Sequence, residues 1–155
     1  MKRLILLAWI MFSTVVLADP PKEVMNIVRE GDIKFNPNPI VPGLANTVLS
    51  GDPRVPGQPY VVRVRFSPGA FSSPHFHPET RYILVVKGTW WVGAGPKWDK
   101  DATTPVPAGS FVIHHPNQIH YDGAMDEEVI VQITGVGPGT STQVDESGQP
   151  RKPKP

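Results

Sequence analysis

Proline and glycine divide this chain into short apolar runs, and this pattern constrains the fold more than any other feature. The 155 residues include 19 prolines and 14 glycines, which are spread along the chain as punctuation. Between them lie runs of β-branched and aromatic residues, each long enough for one strand. The runs cover residues 33–35, 47–49, 60–66, 81–86, 89–92, 110–114 and 128–134. Several short strands at this spacing predict an all-β sandwich or barrel.

Helical periodicity is almost absent from the sequence. Only residues 21–30 offer enough of it for one or two helical turns. Gly88 separates two of the strand-like runs, and this arrangement predicts a tight hairpin. Few apolar residues follow position 139, so we expect residues 140–155 to form a disordered tail.

The first eighteen residues differ in character from the rest of the chain. Lys2 and Arg3 precede an apolar run, which ends in the small-residue sequence Val-Leu-Ala at 16–18. This is the three-part pattern of a secretory signal peptide. Two hydroxyl residues at 13–14 interrupt the apolar run after about ten residues, whereas a membrane-spanning helix needs about twenty. We therefore expect cleavage after residue 18 and a secreted or periplasmic protein, with a retained anchor as the alternative.

The remaining chain is long enough for one domain with a core of its own. We expect an N-terminal extension with the first strand or strands over residues 19–45, and a barrel over 46–139. The leader carries two basic residues and no acidic ones, so its removal changes the formal charge from +1 to −1. A net charge this close to zero gives no sign of the basic patch that nucleic-acid binding requires. We expect neither a nucleic-acid partner nor a membrane partner after cleavage of the leader.

All five histidines lie between positions 75 and 120. His75 and His77 are two residues apart, and such residues share one face of a strand about 6.6 to 7 Å apart. His120 is the candidate third ligand, because turn residues at 116–117 lead directly into it. The chain has no cysteine, so nitrogen and oxygen ligands must hold any ion. Three imidazoles on a divalent ion leave positions open for water, substrate or dioxygen. The alternative is an exposed histidine pair together with a hydrogen-bonded core histidine at position 120.

Around these histidines the chain resembles the cupin family. Gly69, the sequence His-Phe-His at 75–77 and Gly88 match the frame of the first cupin motif. The sequence Pro-Ala-Gly-Ser-Phe at 107–111, followed by His120, is similar to the second motif. The likeness extends to small bacterial single-domain cupins over about residues 46–140. It implies a double-stranded β-helix, or jelly-roll, barrel with a divalent metal inside near one mouth.

The resemblance also implies a function. The leading hypothesis is a mononuclear non-haem oxygenase with a three-histidine site and a small-molecule substrate. Fe(II) is favoured over Mn, Ni, Cu and Zn because of the family and not because of these residues. The alternatives are a secreted barrel that binds a sugar or small acid without turnover, and a metal-dependent isomerase or lyase. Family resemblance further implies a homodimer.

Position 81 departs from the first motif, where the family has a glutamate ligand. Arg81 cannot be a ligand, because its guanidinium is always positive. Three accounts stay open: Glu79, on the same strand face, replaces the missing acid; the site has three histidines only; or metal binding is lost. Arg81 is a candidate catalytic residue that clamps a substrate carboxylate or enolate. The alternative for Arg81 is an ion pair with Glu79.

The second motif also departs from the family pattern. His115 takes the place of a proline and Asn117 that of a glycine. Asparagine tolerates left-handed backbone better than most residues, so we expect the turn to survive. His114 and His115 are extra imidazoles beside the site, and we assign His115 as a candidate acid–base residue. Adjacent strand residues face opposite ways, so only one of the two can point inward. The alternative is a surface pair at a strand end.

Overall fold

The computed structural model describes residues 19–151. The predicted signal peptide at 1–18 lies outside the described residues, as do the last four residues of the chain. Among the described residues, no helix has the length and apolar character needed to cross a membrane.

Within residues 19–151, eleven β-strands form two antiparallel sheets that face each other. The strands are β1 (Asn36–Pro37), β2 (Leu44–Ser50), β3 (Pro59–Phe66), β4 (His75–Phe76), β5 (Arg81–Lys87), β6 (Thr89–Ala94), β7 (Thr104–Pro107), β8 (Phe111–His114), β9 (His120–Ala124), β10 (Val129–Val136) and β11 (Thr142–Gln143). One sheet has the order β1-β2-β3-β10-β5-β8, and the other has the order β11-β4-β9-β6-β7. The predicted fold class, an all-β jelly-roll barrel, is confirmed.

The core lies between the two sheets and follows the two-residue period of its strands. Ile83 and Val85 of β5 and Val129 and Val131 of β10 are almost fully buried. Each such side chain contributes about 1.5–3 kcal/mol through its burial. Trp90 of β6 extends this core toward the histidines, since its ring stacks on His114 at 5.6 Å. The apolar core and the histidine cluster are therefore in direct contact.

The predicted hairpin at Gly88 is wrong, although the glycine does form the turn. Gly88 has a φ of 73°, and a side chain there would collide with the carbonyl oxygen of Glu128. However, β5 pairs with β10 and β8, whereas β6 pairs with β7 and β9. The turn therefore carries the chain from one sheet to the other. A local turn signal contains no information about which strands pair.

Four strands, β4, β7, β9 and β11, lie outside the apolar runs that predicted strands. β7 contains two prolines, which are tolerated because it is an edge strand that pairs only with β6. β4, β9 and β11 are short and contain polar residues or glycine. The run predicted at 33–35 is not a strand, and β1 follows it. The helical turns predicted at 21–30 reduce to one hydrogen-bonded turn at 21–25 and a 3-10 helix at Glu30–Asp32. A second 3-10 helix lies at Lys100–Ala102.

The predicted disordered tail is wrong over its described part, residues 140–151. β11 pairs with β4, so that Gln143 lies opposite His75. Val144 is fully buried, and its amide donates a 3.0 Å hydrogen bond to the carbonyl oxygen of Pro74. The segment is ordered by backbone hydrogen bonds to a strand that would otherwise be an edge, and a low apolar content does not prevent such pairing.

Candidate metal centre

The structure brings His75, His77 and His120 together inside the barrel. His75 on β4 lies directly opposite His120 on β9, and His77 follows β4 by one residue. All three side chains are buried, and their ring centroids are 4.5–5.1 Å apart. One nitrogen from each ring lies within 4.8 Å of the others. The cluster thus presents three nitrogens to a single point.

Each of the three rings is oriented by a hydrogen bond from its Nδ1 atom to a backbone carbonyl oxygen. The acceptors are Ser73 for His75 at 2.8 Å, Thr140 for His77 at 2.7 Å and Gln118 for His120 at 2.9 Å. A carbonyl oxygen only accepts, so Nδ1 carries the proton and Nε2 carries the lone pair. The backbone therefore selects the tautomer that a metal ion requires.

Burial favours the neutral form of two of these rings. Together with the positive charge of Arg81, it lowers the pKa of His77 to about 2. Burial also lowers the pKa of His120, although the carboxylate of Asp122 opposes this effect. The Nε2 atom of His120 is buried and has no hydrogen-bond partner among the described residues. A neutral nitrogen with an unused lone pair is suited to a metal ion, so the residues fit a divalent ion.

Arg81 forms an ion pair with Glu79, which was one of its two predicted roles. Its Nε donates to Glu79 Oε1 at 2.7 Å, and its Nη1 donates to the lone pair on His77 Nε2 at 3.1 Å. The Tyr60 hydroxyl also donates to Glu79 Oε1, at 3.0 Å. Burial raises the pKa of Tyr60 to about 12, so this phenol remains protonated. Arg81 is thus held beside the cluster by two different acceptors.

Glu79 does not join the group of converging ligand atoms. Arg81 and Tyr60 hold its carboxylate oxygen Oε1, whereas Oε2 is buried without a hydrogen-bond partner among the described residues, so its role as a replacement for the missing acid stays a prediction. Pro78 separates Glu79 from His77, and β4 ends at Phe76. Residues 77–79 therefore do not continue the regular strand in which Glu79 and His77 were expected to share a face.

The assignment of His115 as a catalytic residue is also wrong, because His115 is exposed and does not line the cavity. Its neighbour His114 is the inward residue of the pair. The ring of His114 lies 3.9 Å from that of His120, and burial lowers the pKa of His114 to about 2. Side chains alternate along β8, so His114 faces inward and the next residue, His115, faces outward. The sequence had required that one of the two face outward.

The turn before His120 forms as predicted. Asn117 has a left-handed backbone with a φ of 59°. Its amide donates to the carbonyl oxygen of His77 at 2.7 Å. The asparagine therefore replaces the family's glycine in the turn and also links the two ligand-bearing segments.

Sequence reasoning missed Asp122, which is buried two residues after His120 on β9. Its Oδ2 atom lies 3.9 Å from His120 Nε2. Residues two apart on a strand share a face, so recognition of β9 as a strand would have revealed this carboxylate. The strand was missed because aspartate and glycine are uncommon in strands.

A cavity of about 400 Å³ opens onto the cluster. Its polar end contains the three histidines together with Arg81, His114, Ser72 and Asp122, and its walls contain Val62, Val64, Phe66, Ile83, Val131 and Ile133. A cavity of this size with apolar walls and a few convergent polar groups suits a small organic molecule.

No protein-family model and no curated protein sequence matches this chain. Solved structures do match it. The polyketide cyclase RemF from Streptomyces resistomycificus is 18% identical, with a TM-score of 0.64 over 77% of this chain and 85% of that chain. A cupin-2 domain protein from Rhodospirillum rubrum is 13% identical, with a TM-score of 0.62 over 79% and 82%. An oxalate oxidase in complex with the substrate analogue glycolate is 22% identical, with a TM-score of 0.53 over 70% and 59%. These likenesses, together with the two facing sheets, show that the chain has the double-stranded β-helix fold of the cupins.

Proposed function

We propose that this chain is a metal-binding cupin that acts on a small organic molecule, with His75, His77 and His120 as ligands. One observation carries the proposal: a backbone carbonyl oxygen accepts a hydrogen bond from the Nδ1 atom of each ring, so each Nε2 atom carries the lone pair in a cluster whose ligand atoms converge. The three side chains come from two paired segments, and the shared orientation of their rings is what three ligands of one ion require.

We further propose that the reaction is an oxygenation. Fe(II) is the favoured ion, and when bound it would supply Lewis acidity and one-electron redox chemistry. Imidazole nitrogens suit iron, copper, nickel and zinc alike, so this preference comes from the likeness to cupins. The similar structures include a polyketide cyclase and an oxalate oxidase. One fold carries both activities, so the reaction must be tested directly.

Arg81 has a specific role in this proposal. If Nε2 of His77 serves as a ligand, it no longer accepts the hydrogen bond from Nη1 of Arg81. That N–H group then becomes available to a carboxylate or enolate of the substrate. Glu79 keeps the guanidinium oriented through its bond to Nε. We therefore propose Arg81 as the group that binds the anionic part of the substrate.

The apolar walls of the cavity would surround the rest of the substrate and exclude water from it. His114 packs between His120 and Trp90. In that position it limits the movement of the His120 ring and closes one side of the polar end.

A second candidate function is a barrel that binds a small acid without turnover and without metal. The observation that favours it is the bond between Arg81 Nη1 and His77 Nε2, which satisfies this ligand nitrogen within the protein. In that case Arg81 would remain on His77 and the ligand would bind by shape and by contacts with the cavity walls.

The test is the metal content of protein purified without chelators or an affinity tag, measured by mass spectrometry. We expect near one equivalent of a transition metal in the wild type and its loss in His77→Ala and His120→Ala. His115→Ala is the matched control, because it removes an exposed imidazole from the same region and should retain the metal. Oxygen consumption by the loaded protein then tests the oxygenase proposal with small acids as substrates. If the wild type contains no metal and both alanine variants fold normally, the metal centre is contradicted. The metal-free binding barrel would then be the remaining candidate.

A further inference from the structure

Asp122 is a buried carboxylate that lines the cavity and receives no hydrogen bond from residues 19–151. Only 9% of its side chain is exposed. Its main chain is fully used, because its amide donates to Ser72 Oγ at 3.0 Å and its carbonyl oxygen accepts from the Ser72 amide at 2.8 Å. These bonds fix the backbone of β9 at this point, while both carboxylate oxygens stay without a partner in that part of the chain.

The strand register places Asp122 and Arg81 on opposite sides of the histidine cluster. His75 lies opposite His120, and the two strands are antiparallel. Asp122 therefore lies beyond His120 in the direction that leads away from His77. Arg81 lies on the other side, because its Nη1 donates to His77 Nε2 at 3.1 Å. The polar end of the cavity thus runs from a cation, across the imidazoles, to an anion.

The protein's own groups do not supply a donor to the Asp122 carboxylate. Its Oδ2 atom lies 3.9 Å from His120 Nε2, which is too long for a hydrogen bond. The guanidinium of Arg81 is bonded to Glu79 and to His77. A buried carboxylate without a donor is unfavourable. A group on the bound molecule, or a water that this group displaces, therefore has to provide the hydrogen bond.

We infer that Asp122 is a second recognition group for the substrate, and that the substrate is a hydroxy acid. Its carboxylate binds to Arg81, and a hydroxyl group at the far end of the molecule donates to Asp122. The two side chains then fix both ends of a small molecule that lies across the histidine cluster. This inference rests on the proposed metal centre and names the class of molecule that the centre would take.

The charges of the buried groups favour a hydroxyl over an ammonium group. Arg81 and Glu79 cancel each other in their ion pair. Histidine ligands are neutral, so a divalent ion and the Asp122 carboxylate together leave one positive charge. A hydroxy acid carries one negative charge and balances it. An amino acid has no net charge and would leave the site positive inside a cavity with apolar walls.

The experiment compares matched straight-chain acids by isothermal titration calorimetry. The probes are the acids from hydroxybutanoate to hydroxyhexanoate with a terminal hydroxyl, and the corresponding acids in which a methyl or an ammonium group replaces that hydroxyl. The protein is the mature chain loaded with Zn(II), which has no redox chemistry, so binding is measured without oxidation. Zinc content is measured before each titration. The best hydroxy acid should bind at least about tenfold more tightly than its methyl and ammonium counterparts.

Asp122→Ala tests whether the carboxylate causes this preference. The substitution keeps both main-chain bonds to Ser72, so we expect the barrel to fold. In this variant the hydroxy acid and its methyl counterpart should bind within about twofold of each other. Asp126→Ala is the matched control, because it makes the same substitution at an exposed position just beyond β9. It should retain the wild-type preference. Thermal melting checks the folding of both variants.

The wild-type titrations can overturn the inference without any variant. Equal affinity for the hydroxy acids and their methyl counterparts, or no binding of either, would show that the site does not recognise a hydroxy acid. Tighter binding of the ammonium counterpart would contradict the hydroxyl assignment. A preference that survives in Asp122→Ala would show that another group recognises the hydroxyl. A chain that takes up no Zn(II) would instead contradict the proposed metal centre, and the zinc measurement identifies that failure before any acid is added.

Discussion

On one side of the histidine cluster, Arg81 is bonded both to Glu79 and to His77. On the other side, Asp122 and the Nε2 atom of His120 face each other with no hydrogen bond between them. We call these the arginine side and the aspartate side. Both are buried and polar, and each keeps one buried atom without a hydrogen-bond partner among the described residues: Glu79 Oε2 on the arginine side and His120 Nε2 on the aspartate side. The two sides differ in how their carboxylates are paired, because Glu79 forms an ion pair with Arg81 at 2.7 Å, whereas Asp122 lies 3.9 Å from a neutral imidazole.

The largest effect should come from the buried anion on the arginine side. Glu79→Gln leaves Arg81 buried without its counter-charge, so we expect the metal-free protein to lose about 3–5 kcal/mol of unfolding free energy. Asp122→Asn removes an unpaired charge and should cost nothing or stabilise the metal-free protein. Denaturant unfolding measures both variants. Glu128→Gln, which breaks the exposed pair with Lys87, is the control and should cost less than about 1 kcal/mol. Equal losses from Glu79→Gln and Asp122→Asn would remove the distinction between the two sides.

Acid should destabilise the metal-free barrel. The pKa of His77 and that of His114 are about 2 in the folded state, and an unfolded histidine has a pKa of about 6.5. The unfolded chain therefore binds more protons below pH 6.5, and stability is lost as the pH falls from 6.5 toward the folded pKa. We expect a loss of about 1.4 kcal/mol per pH unit for each of these histidines. Unfolding at several pH values measures the slope, and a flat profile from pH 6.5 to 4.5 would contradict it.

A smaller effect is expected when the charge on the arginine side is reversed. Arg81→Glu should tighten metal binding at least about tenfold, or about 1.4 kcal/mol, because it removes a positive charge beside His77 and adds the carboxylate that cupins have there. Chelator competition measures the change. Arg54→Glu makes the same substitution at an exposed position and should leave affinity unchanged. Unaltered affinity in Arg81→Glu would show that residue 81 does not face the ion.

The smallest effects concern the neighbouring pair on and after β8. His114→Ala should destabilise the protein by about 1–3 kcal/mol, because it removes a ring packed on Trp90 and His120. His115→Ala should change stability by no more than about 0.5 kcal/mol, since its side chain is exposed. The reverse order would mean that His115 is the inward residue.

Much of the barrel could be predicted because its longer strands carry a local signal. β3, β5, β6 and β10 were predicted nearly in full, since β-branched and aromatic residues between turns favour strands wherever they occur. The short strands carried no such signal. β4, β9 and β11 exist because their backbone groups pair with distant strands, and two of these three contain proposed ligands. The proposed ligands His75 and His120 therefore lie on strands that the apolar pattern of the sequence did not reveal.

The sequence by itself determined the three histidines, the left-handed turn at Asn117 and the all-β class, because spacing and backbone preference are local properties of the chain. Only the tertiary structure decided that Arg81 pairs with Glu79, that His114 faces inward and that Asp122 is buried beside His120. Those facts depend on which strands become neighbours and on what each carboxylate then meets. Contacts between residues far apart in the sequence follow from the packing of the two sheets, and no single segment encodes them.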